Sequence, residues 1–287
     1  MSGQVAAETT TPTLRATGRR WVFWVVIAVI VIGAAIVSFA AAGSSSGSQR
    51  LDPTSAVPTG AKAVVEVLRT QGVEVLIVDT SDAALEAVNG EWGTTANPSD
   101  ETTLVIHDPN AFITAERLET LSGQAAVTVL LEPGFLELEA FAPGISTGGV
   151  ADGSSTARCT SPIAERAGEI VGDDLTYRIG DAATDATGCF PDGDRFRLIA
   201  LDSDPDAAVV VLGATTSLTN EAATTAGNGA LALGLLGQQP RLVWLLPTLA
   251  EVDGSAAPTI GELSPGWVVP FASLAVLSGG GSVITAI

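Results

Sequence analysis

Residues 21–42, WVFWVVIAVIVIGAAIVSFAAA, run for 22 positions without a charge. No other stretch limits the chain as firmly, because about 20 apolar residues in a helix cross the hydrocarbon core of a bilayer. Trp21 and Trp24 sit at its start, where amphipathic rings settle at the membrane interface. Ala40, Ala41 and Ala42 resemble a signal-peptide cleavage site. A signal peptide's apolar region covers only ~7–15 residues, however, so the run reads as an uncleaved anchor. Arg15, Arg19 and Arg20 precede it, and Arg50 alone follows closely. Positive residues stay in the cytoplasm, which makes residues 1–20 a cytoplasmic tail and sends the rest outside. Residues 43–50, with the SSSGS stretch, form a flexible linker.

The remainder is strongly acidic. Residues 51–287 hold 9 Lys+Arg against 31 Asp+Glu, and the whole chain carries a net charge of −19. That balance excludes nucleic acid as a partner, since the phosphate backbone needs a basic footprint. It also keeps the body off anionic lipid surfaces, leaving the bilayer itself as the membrane partner through the anchor. Residues 264–287 carry no charge and read as a second span beginning near Trp267; a buried terminal helix or strand is the alternative.

Between the two runs, residues 51–263 alternate helix and strand. Residues 58–72 (PTGAKAVVEVLRTQG) place Val64, Val65 and Leu68 on one helical face and end at a glycine cap. Strands are expected at 73–79 (VEVLIVD), 103–108 (TLVIHD), 127–131 (VTVLL), 208–212 (AVVVL) and 242–246 (LVWLL), with a helix from Thr114 to about Leu121. These strand runs are continuously apolar, as in a parallel sheet covered on both faces. The expected fold is therefore α/β, a mostly parallel sheet with helices on both faces. Residues 142–197 break the rhythm and read as an insertion with short strands, including 175–179 and 196–201. Cys159 and Cys189 lie 30 positions apart inside it and, outside the cytoplasm, are expected to pair. Closing that loop is worth ~3.7 kcal/mol on the chain-entropy model.

Candidate chemistry is sparse. A hydrolase or amidotransferase sheet places its nucleophile on a tight turn after a central strand, flanked by glycines. The corresponding strand ends here read Leu131-Glu132-Pro133-Gly134 and Leu212-Gly213-Ala214-Thr215, with neither Ser nor Cys in place. His107 is the sole histidine, expected inside a strand in a hydrogen-bonded structural role, and any catalytic pair must use it. Residues 213–220 (GATTSLTN) offer amides and hydroxyls for an anion, and ordinary turn chemistry with an Asn cap explains them equally well. In open α/β sheets, ligands bind outside the carboxyl ends of the strands. That rule gathers Asp79, Asp108, Glu132, Thr215 and Asn220 at one rim, with Asn228 at the start of a helix running to Leu236. Asn220 and Asn228 are caps or ligand contacts. In that helix Leu231 and Leu235 should face the sheet, with Gly227, Gly229 and Gly234 where helix and strand approach. Asp192, Asp194, Asp202, Asp204 and Asp206 resemble calcium loops in composition but lack the full spacing, and read as solvated acidic loops. No metal and no cofactor is expected.

Several stretches together carry a resemblance: Leu51-Asp52-Pro53, LRTQGVEV, LTN at 218–220, GNGALALGLLG at 227–237, RLVWLLP at 241–247 and SPGW at 264–267. Over roughly residues 50–270 the chain resembles the actinobacterial membrane proteins grouped as domain of unknown function 4350. The resemblance implies two spans around an extracytoplasmic α/β domain, distantly similar to the glutamine-amidotransferase fold. It also implies partners among membrane or envelope proteins encoded beside MoxR-type ATPases, and it implies no activity. Family members continue past the second span into a basic tail, whereas this sequence ends SGGGSVITAI, the pattern of a truncated terminus. The functional expectation is a non-enzymatic binding or scaffolding module of the cell envelope; the alternative is a hydrolase or transferase at the strand-end rim.

Overall fold

The computed structural model describes residues 49–90, 99–201 and 208–253. The chain divides after Gln49, and the elements below all belong to the unit that begins at Arg50. Both expected spans, 21–42 and 264–287, lie outside the described residues, as do Asp202, Asp204 and Asp206. Among the described residues no helix is long and apolar enough to cross a membrane.

Helix α1 (Lys62–Thr70) forms because Val64, Val65 and Leu68 share one face, and that face is buried. It leads into β1 (Glu74–Val78), followed by α2 (Ser81–Asn89), whose first turn is capped by the Thr80 hydroxyl accepting from the Ala83 amide at 3.2 Å. Then come β2 (Thr102–Ile106), α3 (Ala115–Leu121), β3 (Val127–Leu131) and α4 (Phe135–Phe141). Thr114 stands at the N-cap position of α3, but its side chain makes no capping bond.

The insertion supplies β4 (Ile145–Ala151), β5 (Ser154–Thr156), α5 (Pro162–Ala167), β6 (Glu169–Val171), β7 (Asp174–Ile179), β8 (Ala186–Asp192) and β9 (Arg195–Leu201). The chain closes with β10 (Ala208–Leu212), a 3-10 turn at Thr215–Leu218, α6 (Asn228–Leu236), β11 (Arg241–Leu245) and α7 (Leu249–Asp253).

Five strands, ordered β1-β11-β2-β3-β10, are parallel. Strands β2, β3 and β11 are buried at every position, because helices cover both faces. Steps β1 to β2 to β3 to β10 move one way across the sheet, and β10 to β11 returns. Right-handed crossovers therefore put the intervening helices on opposite faces. One core packs α1, α5 and α6 on Val129, Leu212 and Trp244. The other packs α2, α3 and α4 on Leu104, Ile106, Leu130, Val211 and Val243.

The expected mostly parallel sheet needs correction on one side. The insertion does not stand apart; β9 pairs antiparallel with the open edge of β10, and β7, β4 and β8 extend it, giving nine strands in one sheet. The cause is that the Leu198–Leu201 stretch offers β10 an apolar partner and removes an exposed edge. A separate two-stranded pair, β5 with β6, sits beside it. The Cys159–Cys189 disulfide ties the segment before α5 to β8, with a Cα–Cα distance of 5.2 Å.

Arg197 on β9 holds this joint. It is fully buried and donates to the carbonyls of Asp152, Gly153 and Gly172 at 2.9–3.1 Å and to the Asp174 carboxylate at 3.2 Å. Removing one member of a buried ion pair costs about 3–5 kcal/mol, whereas an exposed pair is worth about 1 kcal/mol at most. Asp174→Ala is therefore expected to lower unfolding stability by several kcal/mol in urea denaturation. Asp194→Ala, which breaks the exposed Arg178–Asp194 pair, should leave it essentially unchanged.

Candidate functional site

Strands β3 and β10 are neighbours whose following segments leave toward opposite faces, α4 to one core and α6 to the other. In open α/β sheets such a strand pair is the switch point outside whose carboxyl ends ligands bind. Two turns line it. After β3, Glu132 takes a left-handed backbone conformation with φ 51°. That region costs a non-glycine residue about 1–2 kcal/mol, and strain of this kind collects at functional sites. After β10 come Gly213, Ala214 and Thr215. A side chain at Gly213 would stand 2.0 Å from the Leu175 carbonyl, so only glycine lets β10 turn against β7 here.

The Glu132 Oε1 atom accepts hydrogen bonds from two side chains, the Arg50 guanidinium and the Thr215 hydroxyl. The Glu132 amide donates to Leu212 at 2.9 Å, locking the elbow to the end of β10. Tyr177, buried on β7, donates from its hydroxyl to the Pro133 carbonyl at 3.2 Å, so the insertion braces the same elbow. Burial pushes the Tyr177 phenol well above its usual range, and the nearby Glu132 and Glu137 charges add to this. The Glu137 carboxyl accepts from the Gly134 amide at 3.1 Å, starting α4. Burial raises its pKa, despite that bond, and Asp108 adds to the rise.

His107 follows β2 directly and lies on the rim, not inside a strand as expected, because β2 ends at Ile106. It is 1% exposed, and its Nδ1 has no hydrogen-bond partner among the described residues, so the expected bonded role is not seen at that atom. Burial lowers its pKa to about 4; the Glu132 charge opposes this and the Arg50 charge adds to it. The imidazole is therefore neutral at neutral pH.

The other sequence candidates have different surroundings. Asp108 spends Oδ1 and Oδ2 on the amides of Phe112 (3.0 Å) and Ile113 (2.8 Å). Asp79 is exposed at the end of edge strand β1, three strand spacings or about 14 Å from β3. Asn220 accepts from the Ala63 amide at 2.7 Å and donates to the Ser55 and Val57 carbonyls, fastening the loop before α1. Asn228 is buried and bridges both polar groups of Val171 on β6 to the Ala222 carbonyl. Both act on backbone, Asn220 on the distant segment around α1 and Asn228 on both distant β6 and its own preceding loop. Asp192 and Asp194 pair with Arg195 and Arg178. Thus the rim brings together Glu132 and Thr215, with His107 close by, and adds Arg50, which the sequence marked only as a flank of the anchor. A cleft of about 350 Å³ between α4 and β4, lined by Phe135, Leu138 and Glu139 among others, shares no residue with this cluster.

The His107 shift has a stability consequence. Between pH 6.5 and about 4 the unfolded chain takes up a proton that the folded chain refuses. Stability therefore falls as pH drops through that window, by up to about 3 kcal/mol. Glu137 and Asp174, raised by burial, act in the opposite sense. Urea denaturation at pH 7 and pH 4.5 is expected to show a smaller acid loss for His107→Gln than for the native chain.

The chain is 29% identical over 261 residues to an uncharacterized membrane protein of Mycobacterium tuberculosis. The match covers 88% of this chain and 63% of that relative, so the chain spans less than two thirds of the relative's length. A family model matches residues 53–236, more than half of the chain, from just after Arg50 to the end of α6. The chain belongs to the family described as domain of unknown function DUF4350.

Proposed function

We propose that this chain is a non-enzymatic binding or scaffolding module of the cell envelope, anchored in the membrane with its N-terminus cytoplasmic and its α/β domain outside. Its partners on this reading are the bilayer and other membrane or envelope proteins, the latter engaging the strand-end rim. One observation carries the binding assignment. The elbow after β3, where a hydrolase of this architecture presents Ser or Cys, presents the carboxylate of Glu132 instead, already engaged by Arg50 and Thr215. The membrane relative in Mycobacterium tuberculosis supports the anchoring. The unbonded Nδ1 of His107 near Glu132 favours a second reading, a hydrolase or transferase with His107 as base. An activity that survives His107→Ala would reject it.

The binding reading makes a positional prediction. Asp79 is exposed at the carboxyl end of β1, and Gln71 is exposed at the opposite end of that strand. A photo-crosslinking residue at 79, in the full chain in its native membrane, is expected to capture a discrete protein adduct that a crosslinker at 71 does not. Equal adducts at both positions, or none at either, would reject the rim as the docking face.

A further inference from the structure

Three properties mark the Arg50–Glu132 pair. It is reachable: the two side chains are 36% and 22% exposed, whereas those of Arg197 and Asp174 are each 2% exposed. It is also incomplete. Among the described residues Arg50 uses only Nη1, and only on Oε1, so Glu132 Oε2 receives no hydrogen bond. A guanidinium with free approach donates two parallel N–H groups to both carboxylate oxygens, a stronger and more directional arrangement. Finally, the site is built. A strained elbow holds Glu132, Tyr177 and the β10 backbone hold the elbow, and buried Thr215 orients Oε1. Local strain retained at such a position points to a role for the side chain it presents.

Arg50 also differs from a structural arginine by its place in the chain. The next residue, Leu51, is fully buried, has φ 63°, and donates its amide to the Thr59 carbonyl at 2.9 Å. Leu51 thus pins the entry to the domain, and Arg50 is the first side chain beyond the pin. Arg50 can leave Glu132 without unpacking the core.

Resting on the binding function proposed above, we infer that Glu132 is the recognition carboxylate for a guanidinium or primary ammonium group on the partner, and that Arg50 fills this site as an internal latch that the partner's cation displaces. The low value of an exposed ion pair makes the exchange feasible. The occupant is cationic because the site presents a carboxylate and a neutral imidazole, and its positive charge is supplied by Arg50 itself.

The single histidine of the chain makes this measurable. His107 lies within electrostatic reach of both Glu132 and Arg50, so its imidazole resonance reports on the site. The full chain in lipid nanodiscs, labelled with 15N-histidine, is titrated at pH 7 with ethylguanidinium chloride, and with tetramethylammonium chloride as a cation without N–H donors. Ethylguanidinium is expected to move the His107 signal saturably in Arg50→Ala, with about fivefold lower affinity in the native chain, the most an exposed latch pair can impose. Tetramethylammonium should leave it unmoved, and Arg50→Ala/Glu132→Gln should lose the response. A native-like circular-dichroism spectrum of each variant before titration verifies folding. A response equal for the two cations, one that persists without Glu132, or none in Arg50→Ala would overturn the inference. In any of those cases an adduct from position 79 would leave the binding module standing without this ligand class.

Discussion

The buried guanidinium of Arg197 is the contact on which the rest of the domain depends. Its side chain gathers three carbonyls and the Asp174 carboxylate from the insertion, and its own carbonyl accepts the amides of Gly213 and Ala214. Asp174 in turn accepts the Thr216 amide at 3.1 Å. One residue therefore fixes the insertion to the sheet and sets the turn that carries Thr215 to Glu132. A charge at this depth is tolerable only with each partner in place, so the geometry of the site is inherited from a folding requirement.

The same logic recurs at the far side of the rim with smaller stakes. Glu251 on α7 is 2% exposed and accepts from the Ser81 amide and hydroxyl and from Arg117, all at 2.6 Å. Burial pushes its pKa up, but the Ser81 bonds and Arg117 together hold it below the usual glutamate range. It thereby caps α2 and fastens the last described helix to α2 and α3. Arg241, also buried, donates to the Ala87 and Gly90 carbonyls at the end of α2. In a chain with so large an excess of acid, the few buried cations are spent on backbone carbonyls.

What could be read from sequence follows from burial on two faces. Strands β3 and β10 have the expected bounds, because a doubly covered strand leaves an unbroken apolar run; helix α6 also has its expected bounds, though no side-chain cap marks its start. The joining of the insertion to the sheet left no such trace, since it depends on pairing between strands far apart in sequence. Gly227 was expected where helix meets strand; a side chain there would meet the Ala167 carbonyl of α5 at 1.8 Å and the Glu169 carbonyl of β6 at 2.7 Å, and Gly234 faces Ile163. Their tight neighbour is α5, a short helix whose position only the tertiary structure defines. Thr215 was legible as a strand-end hydroxyl and Glu132 as a strand-end carboxylate. The left-handed backbone of Glu132 was not legible, because nothing local favours it in glutamate. The packing of the elbow against β10 and Tyr177 imposes it.

The strand order also dictates when this sheet can exist. Among the described residues strand β1 pairs only with β11, and β11 alone separates it from β2. The first described strand in chain order therefore waits for residues 241–245, nearly the last of the described domain, before either of its edges is matched. Contacts this distant in sequence make closure slow. Zipping β11 into the gap becomes the step that commits the domain to its folded state.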